Sequence, residues 1–356
     1  MKNVAIVGAT GIAGQQFVVA LMDHPWFKIK TLAASERSAG KAYKNALRDE
    51  KTRASRWCCD EQAKDEVLEI EVENASKFDF KRCDIVFTAL ESDAAKILEP
   101  IYAEHTPVIS TASAFRYETD VPIIIPGVNF EHTKLLEIQR KNRNWKGFIS
   151  PIPNCTTTGL AITLKPLKDA FGINKVIMTS MQAVSGAGRT PGVAALDITD
   201  NVIPFISGEE EKVQVETQKI LGEFTKDKIK SADFTLSCTC TRVDVLEGHT
   251  ETVYIGTDKN VDVADVKEVF SQFNPLRELG LPTAPSRMII VDDDPFRPQP
   301  RIDRNNEDGM ATTVGRIRED NVLNGVKYVL VSHNTRMGAA RGALLAAEYF
   351  VKEGYI

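Results

Sequence analysis

Several kinds of feature are missing from this chain of 356 residues, and each absence excludes a class of protein. The formal net charge is −5, so no basic surplus is present to attract nucleic acid or an anionic membrane surface. No apolar run approaches the roughly 20 residues that a transmembrane helix needs. A glycine-rich turn begins at Gly8, too early to leave room for a signal peptide. We therefore expect a cytoplasmic protein without a nucleic-acid or membrane partner.

Cysteine is also scarce, with six in the whole chain. Cys58 is adjacent to Cys59, and only one residue separates Cys238 from Cys240, which is too close for ordinary disulfides. No spacing of cysteine and histidine resembles a zinc site. We expect reduced thiols and no bound metal ion. The length of the chain predicts two domains, each able to bury a core.

The N-terminal segment has the pattern of a nucleotide-binding turn. An apolar run at residues 4–7 leads into the sequence GATGIAG at residues 8–14, and a helical pattern follows. Glycines let the backbone approach a diphosphate, and the N-terminus of a helix attracts its negative charge. A tight turn with no ligand is the alternative, but the flanking strand and helix favour a dinucleotide cofactor. The residues predicted to contact it here are Gly8, Thr10, Gly11, Ile12 and Ala13.

The choice between NAD and NADP depends on the end of the next strand, predicted at residues 27–34. Ser35, Arg37 and Ser38 follow this strand, and their hydroxyl and guanidinium groups suit the 2′-phosphate of NADP. Glu36 complicates the prediction, because a carboxylate at this place typically holds the ribose 2′-hydroxyl of NAD. We predict NADP, with the Glu36 side chain facing solvent.

A cysteine at a second strand-to-helix turn is the candidate nucleophile. Residues 147–152 are largely apolar, and Asn154 and Cys155 then open a helical pattern. The positive end of a helix favours the thiolate form of a cysteine, and a thiolate attacks carbonyl carbon well. A small buried cysteine that packs a strand against a helix is the alternative.

The first part of the chain predicts a doubly wound, Rossmann-type parallel sheet, because strands alternate with helices. The strands are predicted at residues 83–90, 107–110 and 121–126, and the helices at residues 93–105 and 130–143. Residues 41–73 are polar and irregular, and their pattern predicts no particular element.

The second part contains longer strands that follow one another closely, which predicts an α+β domain with a mixed, largely antiparallel sheet. The strands are predicted at residues 174–184, 237–246, 250–257, 288–291, 311–316 and 326–332, and the helices at 193–202, 209–224 and 263–273. The predicted class is therefore α/β. An NADP-binding domain spans residues 1–154 and is completed by a C-terminal helix within 335–356, and a catalytic and oligomerisation domain spans 155–334.

Short motifs are spread along the chain in a definite order: GATG at 8–11, SAGK at 38–41, DVP at 120–122, PNCT at 153–156, QAVSGAG at 182–188, GEEEK at 208–212, RV at 242–243, GHTE at 248–251, RPQPR at 297–301 and SHNT at 332–335. Together they resemble the aspartate-β-semialdehyde dehydrogenase family, in the form shared by archaea and fungi. The resemblance implies reversible, NADP-dependent conversion of L-aspartate 4-semialdehyde and phosphate into L-4-aspartyl phosphate, toward lysine, threonine and methionine. It also implies a homodimer or homotetramer.

The resemblance implies that Cys155 attacks the aldehyde and carries the acyl group as a thioester, which phosphate then cleaves. His249, predicted to project from a Gly-His turn between two strands, is the candidate general base. An idle surface histidine is the alternative at such a turn. Arg242 lies on what the sequence predicts to be the same hairpin, and its planar fork suits the substrate carboxylate.

Further roles follow from the same resemblance. Glu209 meets the substrate ammonium group, although acidic residues at the start of a helix are also common as a plain solvated surface. Gln182 orients the substrate. The phosphate ligands are Lys212, Arg116 and Asn154, and the residues near the nicotinamide are Ser185, Gly186, Gly188 and Asn334.

Two other functions stay open at this point. One is a malonyl-CoA or succinyl-CoA reductase, since the malonyl-CoA reductase of some archaea resembles this family and keeps the cysteine, the histidine and the arginine. The motifs around Glu209 and Asn154 favour the amino-acid enzyme. A non-catalytic NADP-binding protein is the alternative from another class, and the intact set of Cys155, His249, Arg242 and Lys212 is unfavourable to it.

Overall fold

The computed structural model describes residues 1–189 and 192–356, and these divide into two compact units. The first unit comprises residues 1–122, 133–152 and 339–356. The second unit comprises residues 123–132 and 153–338. Among the described residues, no helix combines the length and the apolar character that spanning a membrane requires.

The first unit contains a parallel sheet of six strands in the order β3-β2-β1-β4-β5-β6. The strands are β1 Lys2–Val7, β2 Phe27–Ala34, β3 Val72–Asn74, β4 Ile85–Thr88, β5 Val108–Ser110 and β6 Ile149–Pro151. Residues 4–7 and 85–88 are entirely buried, as is typical of a parallel sheet that is covered on both faces. The predicted Rossmann-type parallel sheet is confirmed.

Five helices of this unit come before residue 150, and they connect or flank the strands. They are α1 Ile12–Leu21, α2 Tyr43–Ala46, α3 Asp65–Leu68, α4 Ser92–Ala103 and α5 Lys134–Arg143. The segment without a predicted element, residues 41–73, contains the two shortest of these helices and leads into β3. Because such short elements have no apolar period of their own, the sequence pattern did not reveal them.

The second unit contains a sheet of seven strands in the order β13-β14-β15-β12-β7-β11-β8, and a separate pair formed by β9 and β10. The strands are β7 Lys175–Gln182, β8 Val202–Ile203, β9 Glu223–Thr225, β10 Lys228–Lys230, β11 Thr235–Val243, β12 His249–Gly256, β13 Ile289–Asp292, β14 Thr312–Asp320 and β15 Gly325–Ser332. Only the β7–β11 and β13–β14 pairs of the seven-stranded sheet are parallel. The predicted mixed, largely antiparallel sheet is confirmed.

The helices of the second unit are α6 Cys155–Phe171, α7 Ala195–Ile198, α8 Glu209–Ile220, α9 Val263–Gln272 and α10 Pro300–Asp303. Alternate residues of β7 and β11 are buried, and α8 packs against β11, so the helices cover one face of the sheet. The last helix, α11 Arg341–Lys352, belongs to the first unit, where it packs against α1.

Two predicted elements are wrong, one from each part of the chain. The segment 121–126 is buried but forms no strand, because the Asn129 side chain bonds to Ile125 N–H and Ile123 C=O in place of a neighbouring strand. The helix predicted at 193–202 is only the single turn α7. Val202, the last residue of the predicted helix, is instead the first residue of β8, which pairs with the end of β11.

Candidate active site

Three of the predicted site residues lie together at one end of the seven-stranded sheet, where β7 and β11 end and β12 begins. Gln182 ends β7 and is paired in register with Arg242 near the end of β11. His249 begins β12, which runs antiparallel to β7, so its side chain lies at the same end of the sheet. The predicted hairpin between Arg242 and His249 is wrong, because β7 lies between their two strands.

Cys155 is the first residue of α6, directly after an extended segment. The Asn154 side-chain oxygen accepts hydrogen bonds from the backbone N–H groups of Thr156 and Thr157, which caps the helix. Cys155 Sγ lies 3.1 Å from His249 Nε2. A thiol at the positive end of a long helix and in contact with an imidazole has the geometry of an activated nucleophile.

His249 is fully buried, and its Nδ1 accepts a hydrogen bond of 3.1 Å from Ala183 N–H. Burial lowers the pKa of His249 to about 3, and the nearby charges of Arg242 and His333 act in the same direction. The alternative of an idle surface histidine is therefore wrong. Strand β12 begins at His249 itself, because the residue before it, Gly248, supplies the turn with a φ of +93°.

Arg242 is buried beside this pair and is held by the loop that follows β7. Its Nη1 donates to Ala183 C=O at 2.7 Å. A side chain at Gly186 would place its Cβ 3.2 Å from Arg242 Nη1 and 3.4 Å from His249 Cε1, so the loop passes close over both residues. Burial lowers the pKa of Arg242, the nearby Cys155 opposes that shift, and a guanidinium stays charged nonetheless.

Three more predicted residues form a connected polar group. Asn154 Nδ2 donates to Glu209 Oε1 at 2.8 Å, and Glu209 Oε2 lies 3.6 Å from Lys212 Nζ one turn along α8. Glu216, a fully buried carboxylate on the same helix that the sequence did not single out, accepts a hydrogen bond from Asn154 N–H at 2.7 Å. Helix α8 is therefore tied to the start of α6 by hydrogen bonds. The alternative interpretation of Glu209, as an acidic residue on a plain solvated surface, is wrong.

Asn334 connects the loops around the same site. Its side chain donates to Ser185 Oγ and accepts from Gly248 N–H, both at 2.8 Å. Gly188 has a φ of +70° and open space around it. Of the predicted nicotinamide-binding residues, Ser185, Gly186 and Asn334 thus lie close to His249.

The glycine turn of the first unit packs tightly against neighbouring backbone. Gly8 has a φ of +84°, and a Cβ on it would lie 2.2 Å from Ala89 O. A Cβ on Gly14 would lie 2.1 Å from Gly8 O. Among the residues that the structure describes, no side chain caps the start of α1 after Gly11, so the first N–H groups of the helix have the geometry to bind an anion.

Arg37 and Ser38 lie in the turn after β2, on the wall of a cavity of about 190 Å³. The exposed Glu36 is not part of that wall. Four further basic residues of this wall were not predicted as cofactor-binding residues, because they lie in the segment 41–73, whose pattern predicts no element. They are Lys41, Arg48, Lys51 and Arg56.

Arg116, the remaining predicted phosphate ligand, belongs to the first unit. It is buried after β5, and its Nη2 donates to Thr111 C=O at 2.9 Å. Within the described residues, no three His, Cys, Asp or Glu side chains are placed together to hold a metal ion.

Comparison with known proteins places these features in context. A family model described as the semialdehyde dehydrogenase NAD binding domain matches residues 3–136, and one described as its dimerisation domain matches residues 164–337. The chain is 48% identical to the aspartate-semialdehyde dehydrogenase of Archaeoglobus fulgidus, with 99% of both chains covered, and 46% identical to that of Methanothermobacter thermautotrophicus, with 98% covered. The crystal structure of aspartate semialdehyde dehydrogenase with NADP from Candida albicans matches with a TM-score of 0.90 at 38% identity, and 100% of both chains is covered.

Proposed function

Because this chain belongs to the aspartate-semialdehyde dehydrogenase family, we propose that it converts L-aspartate 4-semialdehyde and phosphate reversibly into L-4-aspartyl phosphate with NADP. Family membership makes the chain an oxidoreductase that uses a nicotinamide cofactor. The finer assignments, to this substrate and to NADP, rest on the residues of the site and on the named relatives.

The observation that carries the proposal is the contact between Cys155 Sγ and His249 Nε2, with Arg242 beside it. Cys155 attacks the aldehyde carbon and holds the substrate covalently. A nicotinamide held near Ser185, Gly186 and Asn334 would supply the two-electron acceptor for this adduct. Phosphate then displaces the sulfur and releases the acyl phosphate. Arg242 and Glu209 offer opposite charges to the carboxylate and the ammonium group of one amino acid.

Two assays distinguish this activity from its alternatives. Aspartate semialdehyde with phosphate should reduce NADP, whereas malonyl-CoA should not oxidise NADPH at a comparable rate. Activity with malonyl-CoA alone would identify an acyl-CoA reductase. Inactivity in both assays, with NADPH still bound, would identify a binding protein.

Lys212 and Arg242 should serve different anions. We expect Lys212→Ala to raise the KM for phosphate by about ten- to a hundred-fold, because a charge-assisted hydrogen bond is lost. Arg242→Ala should raise the KM for aspartate semialdehyde by a similar factor. Initial-rate kinetics with each substrate varied in turn would measure both effects.

The matched control is Glu211→Ala, an exposed residue of the same helix, which should leave both constants unchanged. The same pattern of change in Lys212→Ala and Arg242→Ala would mean that the two residues serve one undivided anion site. Some cross-effect is expected from the shared electric field of the two charges.

Arg37 should determine the preference for NADP. Arg37→Ala is expected to weaken NADP binding by about ten- to a hundred-fold and NAD binding hardly at all, since only NADP has a 2′-phosphate. Fluorescence titration with NADPH and NADH would measure this. Arg53→Ala, an exposed arginine that does not line the cavity, is the control. Equal losses for both cofactors would show that Arg37 does not contact the phosphate.

We also propose that a second copy of the chain covers the exposed face of the seven-stranded sheet. Ile177 on β7 is 44% exposed there, and it lies within the segment that matches the dimerisation domain. Sedimentation velocity should give the mass of two or four chains. Ile177→Asp should shift the mass toward that of one chain. The control Ile97→Asp, on α4, should not change the mass. An unchanged mass for Ile177→Asp would mean that the contact lies elsewhere.

A further inference from the structure

The segment of residues 333–338, which follows β15, lies directly against Cys155. A Cβ added to Gly338 would lie 3.0 Å from the Cβ of Cys155 and 3.2 Å from its Cα. Gly338 N–H also donates to His333 C=O at 2.9 Å, which closes the segment into a turn. Any displacement of this segment therefore changes the surroundings of the cysteine.

The same segment supports the start of β12, where His249 lies. Asn334 Oδ1 accepts a hydrogen bond of 2.8 Å from Gly248 N–H, and Gly248 directly precedes His249. Asn334 Nδ2 donates to Ser185 Oγ at 2.8 Å, in the loop that follows β7. Residues 333–338 therefore contact the cysteine at one end and hold the turn before the histidine at the other.

Glu247, in the turn before β12, contacts this segment on both sides of Asn334. Its Oε1 accepts a hydrogen bond of 2.9 Å from Thr335 Oγ1, and its Oε2 lies 3.5 Å from His333 Nε2. The main chain of Glu247 is itself held, since its C=O accepts a hydrogen bond of 3.0 Å from Arg304 Nη1. Only 21% of the Glu247 side chain is exposed, so water competes weakly for these contacts.

We infer that Glu247 is a positioning residue whose carboxylate, by holding residues 333–338 against the start of β12, fixes the distance between Cys155 Sγ and His249 Nε2. This inference rests on the proposed function, which needs that contact, and it adds a residue to the site. Glu247 acts through the backbone of its neighbours, because it connects the segment beside the cysteine to the turn before the histidine. It belongs to none of the sequence motifs, which resume one residue later at Gly248.

The contact between sulfur and imidazole is sensitive to small displacements. Cys155 Sγ lies 3.1 Å from His249 Nε2, so a shift of about 1 Å would lengthen the contact beyond hydrogen-bonding reach. A misplacement of that size, caused by a residue outside the reacting groups, can lower the rate by about a hundredfold. The effect should appear in kcat and in the reactivity of the thiol, and hardly in substrate or cofactor binding, because Glu247 supplies no group to either ligand in the proposed function.

Alkylation of the full chain without ligands measures the catalytic pair independently of turnover. We expect Glu247→Ala to slow the labelling of Cys155 by iodoacetamide by about tenfold and to lower kcat by about ten- to a hundred-fold. The KM for aspartate semialdehyde and the Kd for NADPH should stay within about threefold. Glu247→Gln has the same length and keeps an acceptor for Thr335 Oγ1, so it should restore most of both rates. The control is Asp244→Ala, an exposed acidic residue three positions earlier, which should change none of these quantities.

A second variant tests the same contact from its other end. Thr335→Val removes the hydroxyl but keeps the shape of the side chain, and it should lower labelling and kcat in the same direction. The double variant with Glu247→Ala should lose no more than Glu247→Ala alone, because both changes break one contact. Unchanged labelling of Cys155 in folded Glu247→Ala, or in Thr335→Val if the first variant does not fold, would overturn the inference. A wild-type protein that is labelled at Cys155 but does not turn over aspartate semialdehyde would refute the proposed function instead.

Discussion

Replacing Cys155 by serine is expected to lower turnover by at least about three orders of magnitude while cofactor binding stays nearly unchanged. A hydroxyl ionises far less readily than a thiol, so the nucleophile is lost although its position is kept. The substitution is nearly isosteric and leaves the Asn154 cap of α6 in place, so the fold should be retained. Steady-state kinetics, together with fluorescence titration of NADPH, would measure both quantities.

Alkylation gives a second measure of the same prediction, and the structure identifies its control. Iodoacetamide should label Cys155 first, because the start of α6 and His249 stabilise its thiolate. Cys58 is more exposed, but its Sγ donates to Gln15 Oε1, which favours the unreactive thiol form. Cys58→Ser should therefore keep full activity and leave the labelling of Cys155 unchanged. Undiminished turnover of Cys155→Ser would rule out the covalent mechanism.

Replacing His249 by alanine is expected to reduce turnover by roughly two to four orders of magnitude. That is the usual range for losing a proton-transfer group or a donor to a developing oxyanion. The structure adds a second effect that a surface turn residue would not have. Since His249 is fully buried and bonded to Ala183 N–H, its removal leaves a cavity and an unpaired donor. We expect a loss of about 2–4 kcal/mol in the free energy of unfolding.

Two measurements keep these effects apart. Urea unfolding gives the change in stability, and kinetics under conditions where each variant is folded gives the change in turnover. His105→Ala, an exposed histidine of the first unit, is the control and should change neither quantity. Unchanged turnover in folded His249→Ala would make His249 a structural residue.

Much of the fold could be predicted because its signals are local. The glycine turn before α1 and the cysteine at the start of α6 are each recognisable within about ten residues. A strand, a turn and a helix follow one another there, and the positive end of the helix determines what can bind or ionise. The alternation of short buried strands with helices likewise predicted the parallel sheet, since a crossover connection is needed between parallel strands.

The sequence pattern failed to predict the structure where elements are very short, or where a side chain and not a neighbouring strand provides the hydrogen bonds of the backbone. Residues 41–73 contain single-turn helices without an apolar period, so the basic residues that line the cavity beside Arg37 could not be placed. The segment 121–126 has the apolar character of a strand. A side chain, Asn129, supplies its hydrogen bonds instead, and no pattern within the segment itself records that.

By itself, then, the sequence determined the residue types of the site, the two strand-to-helix turns and the order of elements, because these depend on neighbours within one or two turns of the chain. Only the tertiary structure decided that β7 lies between β11 and β12, so that Gln182 is paired with Arg242 and the peptide of Ala183 reaches both Arg242 and His249. The choice of partner strand depends on long-range pairing. The alternation of residues within a single strand does not specify which strand will lie next to it. For the same reason the orientation of the His249 ring, whose Nδ1 accepts a hydrogen bond from a backbone N–H 66 residues away in the chain, is a property of the fold and not of any motif.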